Sequence, residues 1–171
     1  YPEFALSFYN LIPSCSFCNS ILKNEKETVL DKHIHPYMDT DAGFEFTYNF
    51  IGKDTDGKNL YGVDCNITAV GIKDKRRVKE TLELFRIKEV YNAHAGLELK
   101  DLIDLATANP GDYIDELVNH VLANTHLTKE DVFRILFGVE TLPNRYLNRP
   151  FSKFKMDIIS KIHDIIINGK K

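Results

Sequence analysis

Two cysteines separated by two residues, Cys15 and Cys18, are the first groups in this chain whose type and spacing suit a definite chemistry. A Cys-x-x-Cys pair on a tight turn brings two thiolates to one tetrahedral Zn2+, each at about 2.3 Å, and fills half of its coordination shell. The same spacing serves as a redox dithiol when it follows a strand inside a βαβ unit, and no such unit is legible around Cys15. A third reading leaves both as ordinary packed thiols. His33 and His35 follow shortly after, and His35 is the candidate to add an imidazole nitrogen to the metal. The competing reading makes both histidines loop residues, because Pro36 biases His35 toward extended backbone and Tyr37 packs below it. Cys65 stands alone within a strand-like pattern, which argues against its being a ligand.

The chain that must hold these groups has 171 residues, 43% of them hydrophobic, enough to bury a substantial core. Three cysteines, few and odd in number, do not describe a disulfide framework, and they point to a reducing, cytoplasmic compartment. A formal charge of −3 excludes a protein that grips nucleic acid with its whole surface; such contact must come from local patches or a partner. No apolar run approaches the roughly 20 residues that cross a bilayer. The most apolar stretch, residues 158–167, is interrupted by Ser160, Lys161, His163 and Asp164. The opening Tyr1-Pro2-Glu3-Phe4 lacks the basic region and cleavage site of a secretory signal, and the native polypeptide is expected to extend upstream of Tyr1.

The elements change character along the chain. Up to about Tyr37 there is little periodicity, as in a small unit organised by metal. Residues 44–51 alternate through Phe44, Phe46, Tyr48 and Phe50, residues 54–58 carry Asp-Gly turn chemistry, and a second strand is expected over 60–72 through Val63, Cys65, Ile67 and Ala69. This predicts a β-hairpin whose aromatic stripe packs on a core. Helical spacing follows, with Asp74 as cap and Val78, Leu82 and Phe85 on one face, continuing or restarting through Val90, Leu97, Leu102 and Leu105 until Asn109-Pro110-Gly111. Asp112 starts another helix through Ile114, Leu117, Val118, Val121 and Leu122. Thr128 with Asp131 forms a capping box before Val132, Ile135 and Leu136. Pro143 and Pro150 mark a loop, with Pro150 in the first turn of a last helix. His94 and His120 read as packed or surface residues of their helices.

Asn10-Leu11, three further residues, then Cys15-Ser16-Phe17-Cys18-Asn19, with Lys23 shortly after, resembles the second half of the HNH endonuclease signature in its zinc-stapled form. In that family a first Cys-x-x-Cys and an Asp-His pair lie upstream, and a β-hairpin packs on a helix around one catalytic metal. The resemblance implies that Cys15 and Cys18 are two of four structural zinc ligands. It implies that Asn10 fixes the hairpin loop and orients the general base, and that Asn19 faces a catalytic Mg2+ or other divalent ion. Lys23, a turn beyond Asn19, lies on the same helix face and contacts a phosphate. The Asp-His pair and the first cysteine pair have no counterpart in this sequence and are expected upstream, so the chain as written is not expected to cut DNA. His35-Pro36-Tyr37, residues 84–87, residues 90–94 and the run Arg149 to Lys155 leading into Asp157 and Ile158 resemble a larger group of bacterial HNH proteins. Many of those are encoded beside an ATPase related to chromosome-structure or recombination ATPases, in retron and other anti-phage systems, which implies an ATPase partner here.

Two basic clusters remain. Arg76 and Arg77, within Lys73-Asp74-Lys75-Arg76-Arg77, suit a phosphate backbone, although such a run at a helix start usually forms a solvated face. Arg149, Lys153 and Lys155 carry the same two readings. The expected fold is α+β: residues 1–37 as the C-terminal half of a ββα-metal module, and residues 38–171 as an antiparallel hairpin with a mostly helical domain. The expected function is metal-dependent hydrolysis of nucleic acid phosphodiesters, DNA before RNA. The alternative is a zinc-knuckle scaffold or protein-interaction domain without catalysis.

Overall fold

The structure, a computed structural model, describes residues 14–35, 38, 39 and 42–169, apart from the side chains at 94–97, 147 and 165–169. The fold is α+β, and its sheet is a two-stranded hairpin. The chain divides into two compact units that interleave in sequence: Tyr1–Phe44 with Ile67–Val90, and Glu45–Asn66 with Tyr91–Lys171. The units therefore do not divide near Tyr37; the segment after it, and the first helix of the helical region, belong with the cysteine pair. No helix among the described residues is long and apolar enough to cross a membrane.

In the first unit a short π-helix, Phe17–Lys23, precedes an irregular stretch, and α1 covers Ile72–Leu84. Residues four apart on a helix share a face, and Lys73, Arg77 and Thr81 use that face to fasten Asp31, His33, Ile34 and Asp39. Lys73 pairs with Asp31 at 2.9 Å, and the Thr81 hydroxyl accepts from the Ile34 amide at 2.9 Å. Arg77 forks onto Asp39, Nη1 to Oδ1 at 3.0 Å and Nη2 to Oδ2 at 2.8 Å, while Nη2 also donates to the His33 carbonyl at 2.9 Å. The Gly43 carbonyl accepts from the Thr68 and Ala69 amides, and an added Cβ at Gly43 would sit 2.7 Å from Val78 Cγ2, so this close approach requires glycine. Val78 is the apolar side chain of this unit that is fully buried among the described residues.

Two helix starts depart from expectation. The cap of α1 is Gly71, at φ 96°, with Asp74 inside the first turn, where a carboxylate complements the dipole without closing the cap. Of the two courses open to the following helical spacing, the chain restarts: α1 ends at Leu84, and α2, Ile87–Ala108, begins after a corner at Phe85 and Arg86, with Arg86 at φ 45°. Near the other end, Pro150 lies before α5, Ser152–Gly169; the Phe151 carbonyl opens that helix by accepting from the Lys155 amide at 2.8 Å.

In the second unit β1, Phe44–Lys53, and β2, Asn59–Ile67, meet at the expected turn, where Asp54 Oδ1 accepts from the Asp56 and Lys58 amides. β2 stops at Ile67, short of the expected end. A two-stranded sheet leaves both outer edges with unpaired backbone groups, a liability that side chains cover here. Asp157 of α5 accepts from the Phe46 amide at 2.9 Å on the β1 side. On the β2 side the Asn92 amide bridges the buried Val63, accepting from its N–H and donating to its carbonyl, both at 2.8 Å. Phe46 packs on Tyr91 and Phe154, ring centres 4.4 and 5.3 Å away. The aromatic stripe is only partly core: Phe46 is buried, but Phe50 is 57% exposed and meets Tyr61 edge-on. α3, Gly111–Glu116, and a π-helical turn, Leu117–Val121, bury Ile114; His120 on that turn is exposed. α4, Lys129–Phe137, carries the expected Thr128–Asp131 capping box, and a 3₁₀ turn, Pro143–Asn148, leads toward α5.

Two outcomes follow for stability. Asn92→Ala leaves the Val63 N–H and C=O unmet and is expected to cost about 1–3 kcal/mol, lowering the thermal midpoint by several degrees; an unchanged midpoint would show that the bridge is idle. The Asp39 carboxyl is held below its ordinary value of 3.8, chiefly by the Arg77 hydrogen bonds and then by the His35 amide. A depressed carboxylate stabilises the fold above its unfolded value and loses that contribution as pH falls through the lower folded one. Acidification below about pH 4 is therefore expected to unfasten the stretch 33–35 from Asp39. In Asp39→Asn that segment is expected to exchange its amides rapidly at neutral pH, with a flatter acid response, as hydrogen exchange would record.

Candidate metal knuckle at Cys15 and Cys18

The cysteine pair sits where irregular chain turns into the π-helix Phe17–Lys23, with Ser16 as the preceding residue. The turn is closed by the Asn19 amide donating to the Cys15 carbonyl at 3.0 Å. The Cys18 amide donates to Cys15 Sγ at 3.3 Å. Both cysteines are free thiols, Cys15 exposed and Cys18 half-buried. Hydrogen bonds from the Cys18 amide, then from its side chain, hold the Cys15 thiol below the ordinary thiol range, because they favour the charged sulfur. Burial, and then the adjoining Cys15 sulfur, push Cys18 upward. A thiol held toward its charged form by a backbone amide, with a second thiol three residues on, is a donor arrangement that suits a thiophilic cation.

The pair fits two positions of a zinc shell. Among the described residues no group of three or more His, Cys, Asp or Glu side chains converges on a common point, so His35 is not gathered with Cys15 and Cys18. His35 is instead part of the Arg77 fastening: its amide donates to Asp39 Oδ2 at 2.6 Å, and its carbonyl accepts from the Met38 and Asp39 amides. His33 Nδ1 accepts from the Val29 amide at 3.3 Å, which leaves its proton on Nε2. Both imidazoles therefore sit in the loop arrangement. Pro36, Tyr37 and Asn10 lie outside the described residues.

Asn19 is exposed on the π-helix and its carbonyl receives the Asn24 amide at 3.1 Å, while Lys23 ends the same helix. A π-helical turn is uncommon and concentrates at functional sites. The two arginines separate. Arg76 is exposed and makes a loose pair with Glu80 at 3.5 Å, so it remains available to a phosphate. The Arg77 side chain is 15% exposed, and its two terminal nitrogens meet Asp39 and the His33 carbonyl. In the second unit Arg149 pairs with Glu140 at 3.4 Å and Lys153 with Asp157 at 2.9 Å.

Sequence reasoning missed Asp39, Asn92 and Asp157 as partners. Asn92 and Asp157 fall within or beside segments that the sequence singles out, and the structure gives both an edge-covering role. Nothing periodic marks Asp39, whose partner lies 38 positions along the chain.

No protein-family model matches the chain, and no solved structure matches it. Among curated proteins it is similar to Protein ea31 of Escherichia phage lambda, at 34% identity over 107 residues, which is 60% of this chain and 36% of that protein. The chain thus spans little more than a third of the relative's length.

Cobalt added to the reduced protein is expected to give a thiolate-to-metal charge-transfer band that Cys15→Ser and Cys18→Ser each abolish and Cys65→Ser leaves intact. In metal-free protein, iodoacetamide is expected to modify Cys15 before Cys18, at a pH where an ordinary thiol is still protonated, and zinc is expected to suppress that reaction. Equal rates at all three cysteines, with no effect of zinc, would remove the knuckle.

Proposed function

We propose that this chain carries the second half of an HNH-type module and belongs to a metal-dependent endonuclease acting on nucleic acid, DNA in the first instance. The observation that carries the reading is the Cys15–Cys18 turn, closed by the Asn19 amide on the Cys15 carbonyl, with the Cys18 amide on Cys15 Sγ and Asn19 immediately after. Cys15 and Cys18 would hold zinc as two of its four donors.

For hydrolysis Asn19 would orient or ligate a hard divalent ion, which when bound would polarise the scissile phosphate. The Asp-His pair that the resemblance implies would supply the carboxylate and the general base; no described residue takes either role. Lys23 and Arg76 would hold flanking phosphates, each as a point of charge rather than a reader of sequence. A defence role beside an ATPase partner follows from the resemblance alone. The second reading is a zinc-knuckle scaffold without catalysis. It is favoured by the exposed Asn19, which no carboxylate or imidazole joins in a metal-holding group among the described residues.

Incubating supercoiled plasmid with the polypeptide as the cell makes it separates the two. Nicking in Mg2+ or Mn2+ that stops on chelation, and that falls about 10–100-fold in Asn19→Ala with zinc retained, is the expected result. Stoichiometric zinc without any cleavage or second ion would leave the scaffold.

A further inference from the structure

The unit that holds the knuckle has a second feature, a groove of about 360 Å3 lined by Ile21 and Leu22 of the π-helix, by Lys26, and by Glu83, Leu84 and Arg86 at the end of α1. Its position on the same short helix as Asn19 places it within reach of whatever the knuckle engages. Half of these six residues are aliphatic, and the other three are two cations and one anion. Neither Lys26 nor Arg86 forms an ion pair with a described residue. This distinguishes them from the cations at 73, 76 and 77, each of which meets an acid: Asp31, Glu80 and Asp39. Glu83 meets only Lys79, at 3.8 Å between exposed side chains, a contact of little strength.

Arg86 is placed there at a conformational cost. It occupies the corner between α1 and α2 at φ 45°, a region that glycine and asparagine enter readily and longer side chains seldom do. Its amide donates to the Glu83 carbonyl at 3.3 Å, and its own carbonyl receives the Val90 amide at 2.9 Å, so the backbone is fixed at both sides. A strained position that keeps a long cationic side chain pointed at a groove suits a ligand more than a turn.

We infer that this groove seats the phosphodiester backbone of nucleic acid, with Lys26 and Arg86 as its phosphate contacts. Two cations without an ion pair among the described residues, lining one groove with aliphatic side chains, match a backbone that alternates charged phosphate with apolar sugar face. Recognition of this kind is independent of sequence. The inference rests on the nuclease reading for the identity of the anion, and it adds an anchoring surface apart from Asn19.

The test is fluorescence anisotropy with a labelled DNA duplex and the polypeptide as the cell makes it, with Ca2+ in place of Mg2+ and salt varied around 0.15 M. In the double variant Lys26→Gln, Arg86→Asn, chosen because asparagine tolerates the corner, affinity is expected to fall about tenfold, equally for unrelated sequences. The slope of log K against log salt is expected to shrink by about 1.8, the value for two phosphate contacts. Arg86→Lys is expected to keep most of the slope, and Glu83→Gln to bind two- to threefold tighter, a gain that misfolding cannot imitate. Wild-type affinity and slope in the double variant, with unchanged binding by Glu83→Gln, would overturn the groove while plasmid nicking by the wild type keeps the nuclease. Absence of DNA binding by the wild type would overturn both.

Discussion

The fork between Arg77 and Asp39 does in the N-terminal unit what apolar packing does elsewhere. That unit buries Val78 and no other apolar side chain among the described residues, so its irregular chain must be held by polar contacts. A guanidinium that reaches both carboxylate oxygens and a main-chain carbonyl fixes position and orientation together, which a lysine at the same place would not do. Partial burial of the pair, 15% and 23% exposed, strengthens the attraction compared with the exposed pairs on the same helix. His33 and His35 are held through their backbones by this fork, and their distance from the cysteines in role follows from it.

The second unit solves a different problem. A two-stranded hairpin is marginal by itself, and its outer edges would solicit another strand. One carboxylate and one amide close those edges at the buried end, beside the Phe46, Tyr91 and Phe154 rings. The far end, with Phe50, Ile51 and Leu60 exposed, has no such cover among the described residues. Side chains that donate and accept at once, as Asn92 does, satisfy both groups of one residue without adding charge to a buried site.

What the sequence made legible was local. The Asp54 turn and the Thr128–Asp131 box depend on residues two to four apart, and both formed as their chemistry dictates. Helix ends were less legible where backbone geometry rather than side-chain type decides. Gly71 caps α1 although Asp74 is the better capping residue by type, and the corner at Arg86 interrupts a periodicity that would otherwise run on. Long-range polar contacts were not legible at all: a cation in a run of cations reads as solvated until its acid is found 38 positions away. Of the candidate site, the cysteine turn could be anticipated from spacing alone, because a two-residue gap brings the sulfurs together almost regardless of context. His35 could not be placed, since a donor across a loop depends on what fastens the loop.

The described candidates for chemistry, Cys15, Cys18, Asn19, Lys23, His35 and Arg76, all belong to the first unit, whereas among the described residues fifteen of the sixteen buried apolar ones belong to the second. The segments at 90–94 and 149–157 that looked informative in sequence supply the second unit's scaffold: Tyr91 and Phe154 in the core, Asn92 and Asp157 on the strand edges, and buried Ser152 accepting the Glu140 amide. Conspicuous segments in a sequence can thus owe their pattern to packing and edge-covering. Because the candidate donors and the described core fall in different units, zinc binding at Cys15 and Cys18, as proposed, would be read in the order of the first unit rather than in the core of the second.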